Sequence, residues 1–227
     1  WGFADTTVHL DNGELTTDGA PLTTDGAPVD LDADARLRDA LEVGVLCTSA
    51  TYDPDADEAT GDPMEVALLR AGAAVGLTRR ATEEDKPRVD EEAFDTDVKS
   101  MATVHEQADG PYRVAVKGAP EAVLDAATHE ATADGPQPLD DEARARWEER
   151  NEHMAADGLR ILALAQKTTD DPDAPPYEGL TLLALVGLYD PPRGDVRAAI
   201  DECQEAGIEV VMITGDQPVT ARGIGRA

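Results

Sequence analysis

The chain has 227 residues, with 48 Asp and Glu against 19 Lys and Arg, a formal net charge of -29. That balance argues against a nucleic-acid binder or a peripheral membrane protein, both of which need a basic footprint to meet phosphates or anionic lipid. A hydrophobic fraction of 41% excludes an acidic disordered tail, and the longest apolar run, Leu180 to Leu188, falls far short of the roughly 20 residues that cross a bilayer.

The kind of charge is informative too. Four lysines (Lys86, Lys99, Lys117, Lys167) stand beside fifteen arginines. An acidic surface loses little to self-repulsion in molar salt, where the Debye length is about 3 Å. The composition therefore reads as that of an extreme halophile's cytosol, and each remaining lysine needs a reason. Cys47 and Cys203 read as two buried free thiols, and the four histidines show no metal spacing, so no metal site is expected.

The chain opens at Trp1 without a signal-peptide pattern and stops at Ala227 within a helix-like segment, and so reads as an excerpt of a longer protein. Residues 5 to 15 alternate around Asp11-Asn12-Gly13, a hairpin turn, and the duplicated Thr-Thr-Asp-Gly-Ala-Pro that follows reads as a loop insertion. Helical periodicity runs from Ala33 to about Thr48. After an acidic loop at 51 to 61, a second helix starts with Asp62 as N-cap, Pro63 at N1 and Glu65 placed to close a capping box, and runs to about Gly76.

Strands are expected at Phe94 to Thr96, Ser100 to Glu106 and Tyr112 to Lys117, an antiparallel meander. Helices at about Pro120 to Thr128 and Asp140 to Ala156 follow, the second closed by Gly158. Strands come next at Arg160 to Lys167 and Leu180 to Tyr189. The tail reads strand (180 to 189), helix (194 to 206), strand (208 to 213), helix (219 onward), a βαβ unit of a parallel sheet.

Four local signals carry chemistry. In Phe94-Asp95-Thr96-Asp97-Val98-Lys99-Ser100-Met101 an aromatic and a lysine flank a strand boundary, as stacking on a purine and pairing with a polyphosphate require; the plain alternative is a strand residue with an edge lysine. In Lys117-Gly118-Ala119-Pro120-Glu121 a lysine and a glycine that permits close backbone approach stand before a helix start; the alternative is an ordinary turn. Arg160 opens a buried strand as a phosphate fork or a surface charge. Asp190-Pro191-Pro192-Arg193 and Thr214-Gly215-Asp216 follow the two strands of the βαβ unit, where ligands of open sheets bind.

Taken together and in order, with Gly61 to Leu68, Gly158 to Ala165 and Met212 to Ala221, these stretches resemble the cytoplasmic part of P-type cation-transporting ATPases of the calcium-pump-like type II group. The resemblance implies an α+β nucleotide-binding domain at 1 to 188, an antiparallel sheet flanked by helices. A partial α/β, haloacid-dehalogenase-like phosphorylation domain would follow at 189 to 227. It implies that Phe94 stacks on adenine and that Lys99, Lys117, Met101 and Gly118 line the nucleotide pocket. Glu65 would stand on the adenine side, Arg160 would reach the polyphosphate, and Leu162 would pack near the base.

By the same resemblance Thr214, Gly215 and Asp216 face the phosphoryl group and Asp190 to Arg193 act as a hinge. ATP, with Mg2+ in the intact protein, is the implied cofactor. The partners are the rest of the phosphorylation domain, an actuator domain and transmembrane helices, at the cytoplasmic face of a membrane. Thr96 departs from the family pattern, which commonly has an arginine there, and the Asp-Lys-Thr-Gly-Thr phosphorylation motif is absent from the sequence. The segment alone is therefore expected to bind nucleotide without hydrolysing it. A stand-alone adenine-nucleotide-binding module is the alternative reading.

Overall fold

The computed structural model describes residues 8–11, 14–17, 20–21, 35–108, 110–188, 195–211, 213 and 225. Strands β1 (Val8–Asp11), β2 (Glu14–Thr17) and β3 (Ala20–Pro21) make a small antiparallel sheet, with Asp11 paired to Glu14 in the register expected of the hairpin. Helix α1 (Ala35–Leu46) presents Leu37, Ala40, Leu41 and Leu46 to the core. The acidic loop expected next is a hairpin, β4 (Thr51–Asp53) and β5 (Glu58–Thr60), closed with Asp57 at φ 52°. Asp tolerates that left-handed conformation better than most residues.

Helix α2 (Pro63–Ala74) starts as its sequence dictates, with the Asp62 carboxylate accepting from Met64 N at 2.8 Å and Pro63 in the first turn. The short α3 (Arg79–Asp85), capped by Thr78, was not expected. Then come β6 (Arg88–Asp95), β7 (Ser100–Gln107), β8 (Gly110–Gly118), α4 (Pro120–Ala126), β9 (Ala127–Thr132), β10 (Gly135–Pro138), α5 (Asp141–Ala156), β11 (Arg160–Thr169), β12 (Leu180–Leu188) and α6 (Val196–Glu205). Helix α5 ends where Gly158 takes φ 79° and donates its N–H to Ala155 O at 3.0 Å.

Seven strands form one sheet in the order β10-β9-β12-β11-β8-β7-β6, antiparallel except where β12 runs parallel to β9. Alternation along the strands sorts side chains onto two faces. On one, Met101, Ala115, Leu164, Ala184 and Val186 pack under α1 and α2. On the other, Val104, Val114, Val116, Ala165 and Leu182 pack under α4 and α5 around the buried Trp147. The edge strand β6 is almost wholly exposed and carries four acids, a sequence that discourages pairing with another chain.

Buried charge pins α1 to the sheet. Arg113 on β8 donates to Glu42 at 3.0 Å and to Asp39 at 3.2 Å, Lys86 pairs with the other Glu42 oxygen, and Gln166 reaches Asp39 at 3.1 Å.

Several expectations are corrected. β12 is not the first strand of a βαβ unit, because both of its edges are taken, one by β9 and one by β11, and it has no free ladder to offer residues 208–213. Residues 208–211 and 213 form no strand, α6 buries none of its residues, and Ile213 is 95% exposed. The haloacid-dehalogenase-like segment is therefore not formed by the described residues, and Asp190, Pro191, Pro192, Arg193, Thr214, Gly215 and Asp216 lie outside them. The helix expected to reach Thr128 stops at Ala126, and β9 and β10 were not expected. Cys47 is free and buried as expected, whereas Cys203, also free, is partly exposed.

His105 yields a pH prediction. Its Nδ1 lies 3.0 Å from Lys86 O and its Nε2 2.9 Å from Thr103 Oγ1, which a neutral ring satisfies by donating at the first and accepting at the second. Burial, reinforced by Arg88 and Arg113 and opposed by the Lys86 carbonyl, pushes its pKa from 6.5 down to about 4. Between these values the unfolded chain binds a proton at this residue that the folded chain does not, so stability falls as pH falls from 6.5 toward 4. His105→Gln should remove up to about 1.4 kcal/mol per pH unit of that slope, checked by denaturant unfolding at pH 5 and pH 7.

Candidate functional site

The expected binding residues gather at one end of the large sheet. Ladder pairs set Met101 on β7 beside Lys117 on β8 beside Leu164 on β11, and one step further along set Ser100 beside Gly118 beside Ala163. Leu162 and Arg160, two and four residues before Leu164, share its face by strand alternation, and Leu162 packs partly buried against the α1 and α2 side core. Met101, Lys117, Leu162 and Arg160 therefore share one face at one end of three adjacent strands. Phe94 lies near the end of β6, the next strand out, with 58% of its surface exposed.

Lys117 is the deepest charge in this group, 6% exposed. Glu65 reaches it from the first turn of α2. One Glu65 oxygen pairs with the Lys117 ammonium, and the other accepts from Ser49 N at 3.1 Å and Ala50 N at 2.9 Å. The capping box expected of Glu65 is thus replaced by a tertiary contact. Burial raises the pKa of the Glu65 carboxyl, but the Lys117 ammonium and the Ser49 amide outweigh it, holding the group below the usual carboxylate range and charged at neutral pH.

Cys47 lies behind the pair and donates its thiol to Met101 O at 3.4 Å. Burial, partly offset by Lys117, pushes its pKa up to about 11, which keeps it protonated and unreactive.

The turn between β6 and β7 is built by Asp95. Its side chain accepts from Asp97 N at 2.6 Å and Val98 N at 3.3 Å, and its carbonyl accepts from Lys99 N at 2.6 Å. Lys99 takes φ 56° to close the turn, and its carbonyl then accepts from Ala119 N at 2.9 Å. The turn is docked on the β8 to α4 junction, which explains Gly118. A Cβ there would sit 2.3 Å from Ser100 Oγ and 2.6 Å from Lys99 O. The close backbone approach that Gly118 permits is made here by the neighbouring strand and turn.

The Lys99 ammonium pairs with Glu121 at 2.9 Å with both side chains about half exposed. Burial raises the Glu121 pKa, and the Lys99 ammonium more than reverses that. Exposed pairs of this kind contribute at most about 1 kcal/mol, so an incoming anion can recruit this lysine at small cost.

Residues 36–195 match a family model described as P-type ATPase, cytoplasmic domain N. A cation-transporting ATPase of Synechocystis is 39% identical over 198 residues, 84% of this chain and 21% of that protein. Calcium-transporting ATPase 1 of Bacillus cereus is 36% identical over 189 residues, 82% of this chain and 21% of that protein. The sodium/potassium-transporting ATPase alpha subunit of Hydra vulgaris is 31% identical over 208 residues, 82% of this chain and 20% of that protein. The chain belongs to the P-type ATPase N-domain family. It spans about a fifth of the length of these relatives.

Within this N domain the structure brings Glu65, Lys117, Met101, Gly118 and Lys99 into one connected unit, sets Leu162 and Arg160 on the neighbouring strand, and leaves Phe94 at the rim. Thr96 sits exposed in the docked turn. Sequence reasoning missed Ser49 and Ala50, which contribute only backbone amides, and the roles of Asp95 and Glu121. Among the described residues no group of three or more His, Cys, Asp or Glu is arranged to hold a metal ion, and no helix is long and apolar enough to cross a membrane.

Gly118→Ala should force the docked turn away from β8. A loss of about 1–3 kcal/mol in stability is expected from overpacking at a backbone contact, measured as a lower denaturant midpoint with the Lys99 and Ser100 amide resonances displaced.

Proposed function

We propose that this N domain binds an adenine nucleotide at the end of the sheet where Phe94, Met101, Leu162 and Lys117 converge. On this reading it presents the terminal phosphate to an aspartate outside this sequence, within an ATP-driven, cation-translocating parent of the type II group. The observation that carries the proposal is a half-exposed aromatic ring at the rim of a site whose floor is Met101 and Leu162 and whose buried cation is Lys117. A purine needs an apolar slot with a stacking partner and fixed polar groups, and a polyphosphate needs releasable cations nearby.

Phe94 would stack on the base, with Glu65 and Lys117 as the buried polar pair beside it and Gly118 shaping the junction. Lys99 and Arg160 would meet the phosphates. Lys117 enters this reading differently from Lys99, because Glu65 already neutralises it; it offers directional N–H donors more than net charge.

The described residues supply no magnesium site, so any Mg2+ used by the intact parent would belong with the phosphates and with residues elsewhere. Residues 189–227 are proposed as the start of the returning phosphorylation domain, with Asp190 to Arg193 as hinge and Thr214 to Asp216 toward the phosphoryl group. The parent's membrane helices and actuator domain complete the assignment at the cytoplasmic membrane face. Relatives named for calcium and for sodium and potassium share this segment, which suits a nucleotide module that leaves ion choice to other parts. The surplus of 29 negative charges fits work in molar salt.

Titration with ATP and ADP in molar KCl, followed by amide chemical shifts, should give dissociation constants on the order of mM, about -4 kcal/mol. Phe94→Ala should weaken binding by the roughly 1–3 kcal/mol that one stacked base contributes. Lys117 should be tested as Lys117→Met with Glu65→Gln, so that no lone charge is left buried. Binding untouched by Phe94→Ala, or steady ATP turnover by the isolated chain, would sink the proposal.

A further inference from the structure

A second cluster of buried charge lies on the far side of the segment 47–50, the link from α1 to β4. One Arg88 terminal nitrogen donates to Leu46 O at 2.8 Å, Thr48 O at 3.0 Å and Glu83 at 3.0 Å, and the other reaches Glu91. Arg79 donates to Ala50 O at 2.6 Å and to the same Glu83 oxygen at 3.0 Å. The carbonyls of residues 46, 48 and 50 are thus gripped by two guanidinium groups tied together by one carboxylate. The amides of residues 49 and 50 are gripped from the opposite side by Glu65.

A non-repetitive segment packed against the core must find partners for its backbone groups. Here the amides of Cys47 and Thr48 donate to the Val43 and Leu46 carbonyls and Ala50 N also donates to Thr48 Oγ1 at 3.1 Å, while the other partners are side chains of α2, α3 and β6. The Arg88 Nε, buried and without a hydrogen-bond partner, marks a guanidinium aimed by these carbonyls at the expense of its own satisfaction.

We infer that Arg88, with Arg79 and Glu83, is a positioning element for the binding site: it holds segment 47–50 so that its two amides fix Glu65, and Glu65 fixes Lys117. The consequence for nucleotide affinity rests on the function proposed above; the mechanical chain from Arg88 to Glu65 does not. The planar fork matters, because a lysine ammonium cannot reproduce the spread of contacts to two carbonyls and two carboxylates.

The test compares Arg88→Met and Arg88→Lys with the unmodified chain, using amide hydrogen exchange and ATP titration. In Arg88→Met, Ser49 and Ala50 should exchange at least about 10-fold faster while β8 and β11 change little. ATP affinity should fall roughly 3- to 10-fold, and Arg88→Lys should recover only part of either effect. Unchanged protection at Ser49 and Ala50, equal loss at every amide, or full recovery by lysine would each overturn the inference.

Should Arg88→Met fail to fold, Arg79→Met, which removes the Ala50 carbonyl contact and one tie to Glu83, must selectively loosen Ser49 and Ala50, and its failure to do so is equally decisive. If the unmodified chain binds no ATP, the functional proposal falls, while the exchange data still judge the clamp.

Discussion

The contact between Glu65 and Lys117 is the constraint around which the rest of the site is arranged. Lys117 is buried against a carboxylate, and removing one partner of a buried pair typically costs about 3–5 kcal/mol. Satisfying Glu65 in turn requires donors for its second oxygen, and these are the backbone amides of Ser49 and Ala50. One ion pair therefore ties together the first turn of α2, the chain leaving α1 and the end of β8. On the proposed function, the geometry beneath the ligand would follow from this folding contact.

The scarcity of lysine acquires a second meaning in the structure. Each of the four has a definite partner. Lys86 pairs with Glu42, Lys99 with Glu121 and Lys117 with Glu65, while Lys167 donates to the carbonyls of Pro175 and Glu178 across the loop before β12. Two serve the architecture alone: Lys86 helps hold α1 over the sheet, and Lys167 ties down a proline-rich loop. In a chain with so much acid the retained lysines mark places where a compact cation meets a carboxylate or backbone carbonyls, and on the proposed function Lys99 and Lys117 would also meet the nucleotide.

Local chemistry was legible in the sequence. Asp62-Pro63 capped its helix, Gly158 ended α5, and the meander from Ser100 to Gly118 formed with the expected strands because turn residues and alternation act over a few positions. What escaped was nonlocal. Nothing near Glu65 says that its carboxylate reaches 15 residues back to Ala50 and 52 residues forward to Lys117. β9, with its Thr, His and Glu, becomes a strand because β12 offers a parallel edge. The same edge explains the failed βαβ expectation, since an apolar strand suits a parallel or an antiparallel neighbour equally well and its hydrophobicity does not choose. The candidate residues were chosen by the joint pattern of motifs, and the network around Glu65 could not be chosen that way because the amides of Ser49 and Ala50 are backbone.

On the proposed function, the site would divide into a buried floor and an exposed rim. Met101, Leu162 and the Lys117 to Glu65 pair sit on the packed face of the sheet. Phe94 and Lys99 stand exposed, one with an uncovered ring and the other in a solvent-screened pair worth little. On the proposed function, the base would gain from the rigid floor and from the aromatic ring that closes over it, while the phosphates would meet cations held only by exposed contacts. Binding energy would then concentrate at the base and remain small at the phosphates. A domain that must deliver its terminal phosphate to a residue on another part of the protein needs that asymmetry, because tight capture of the reacting end would have to be undone before transfer.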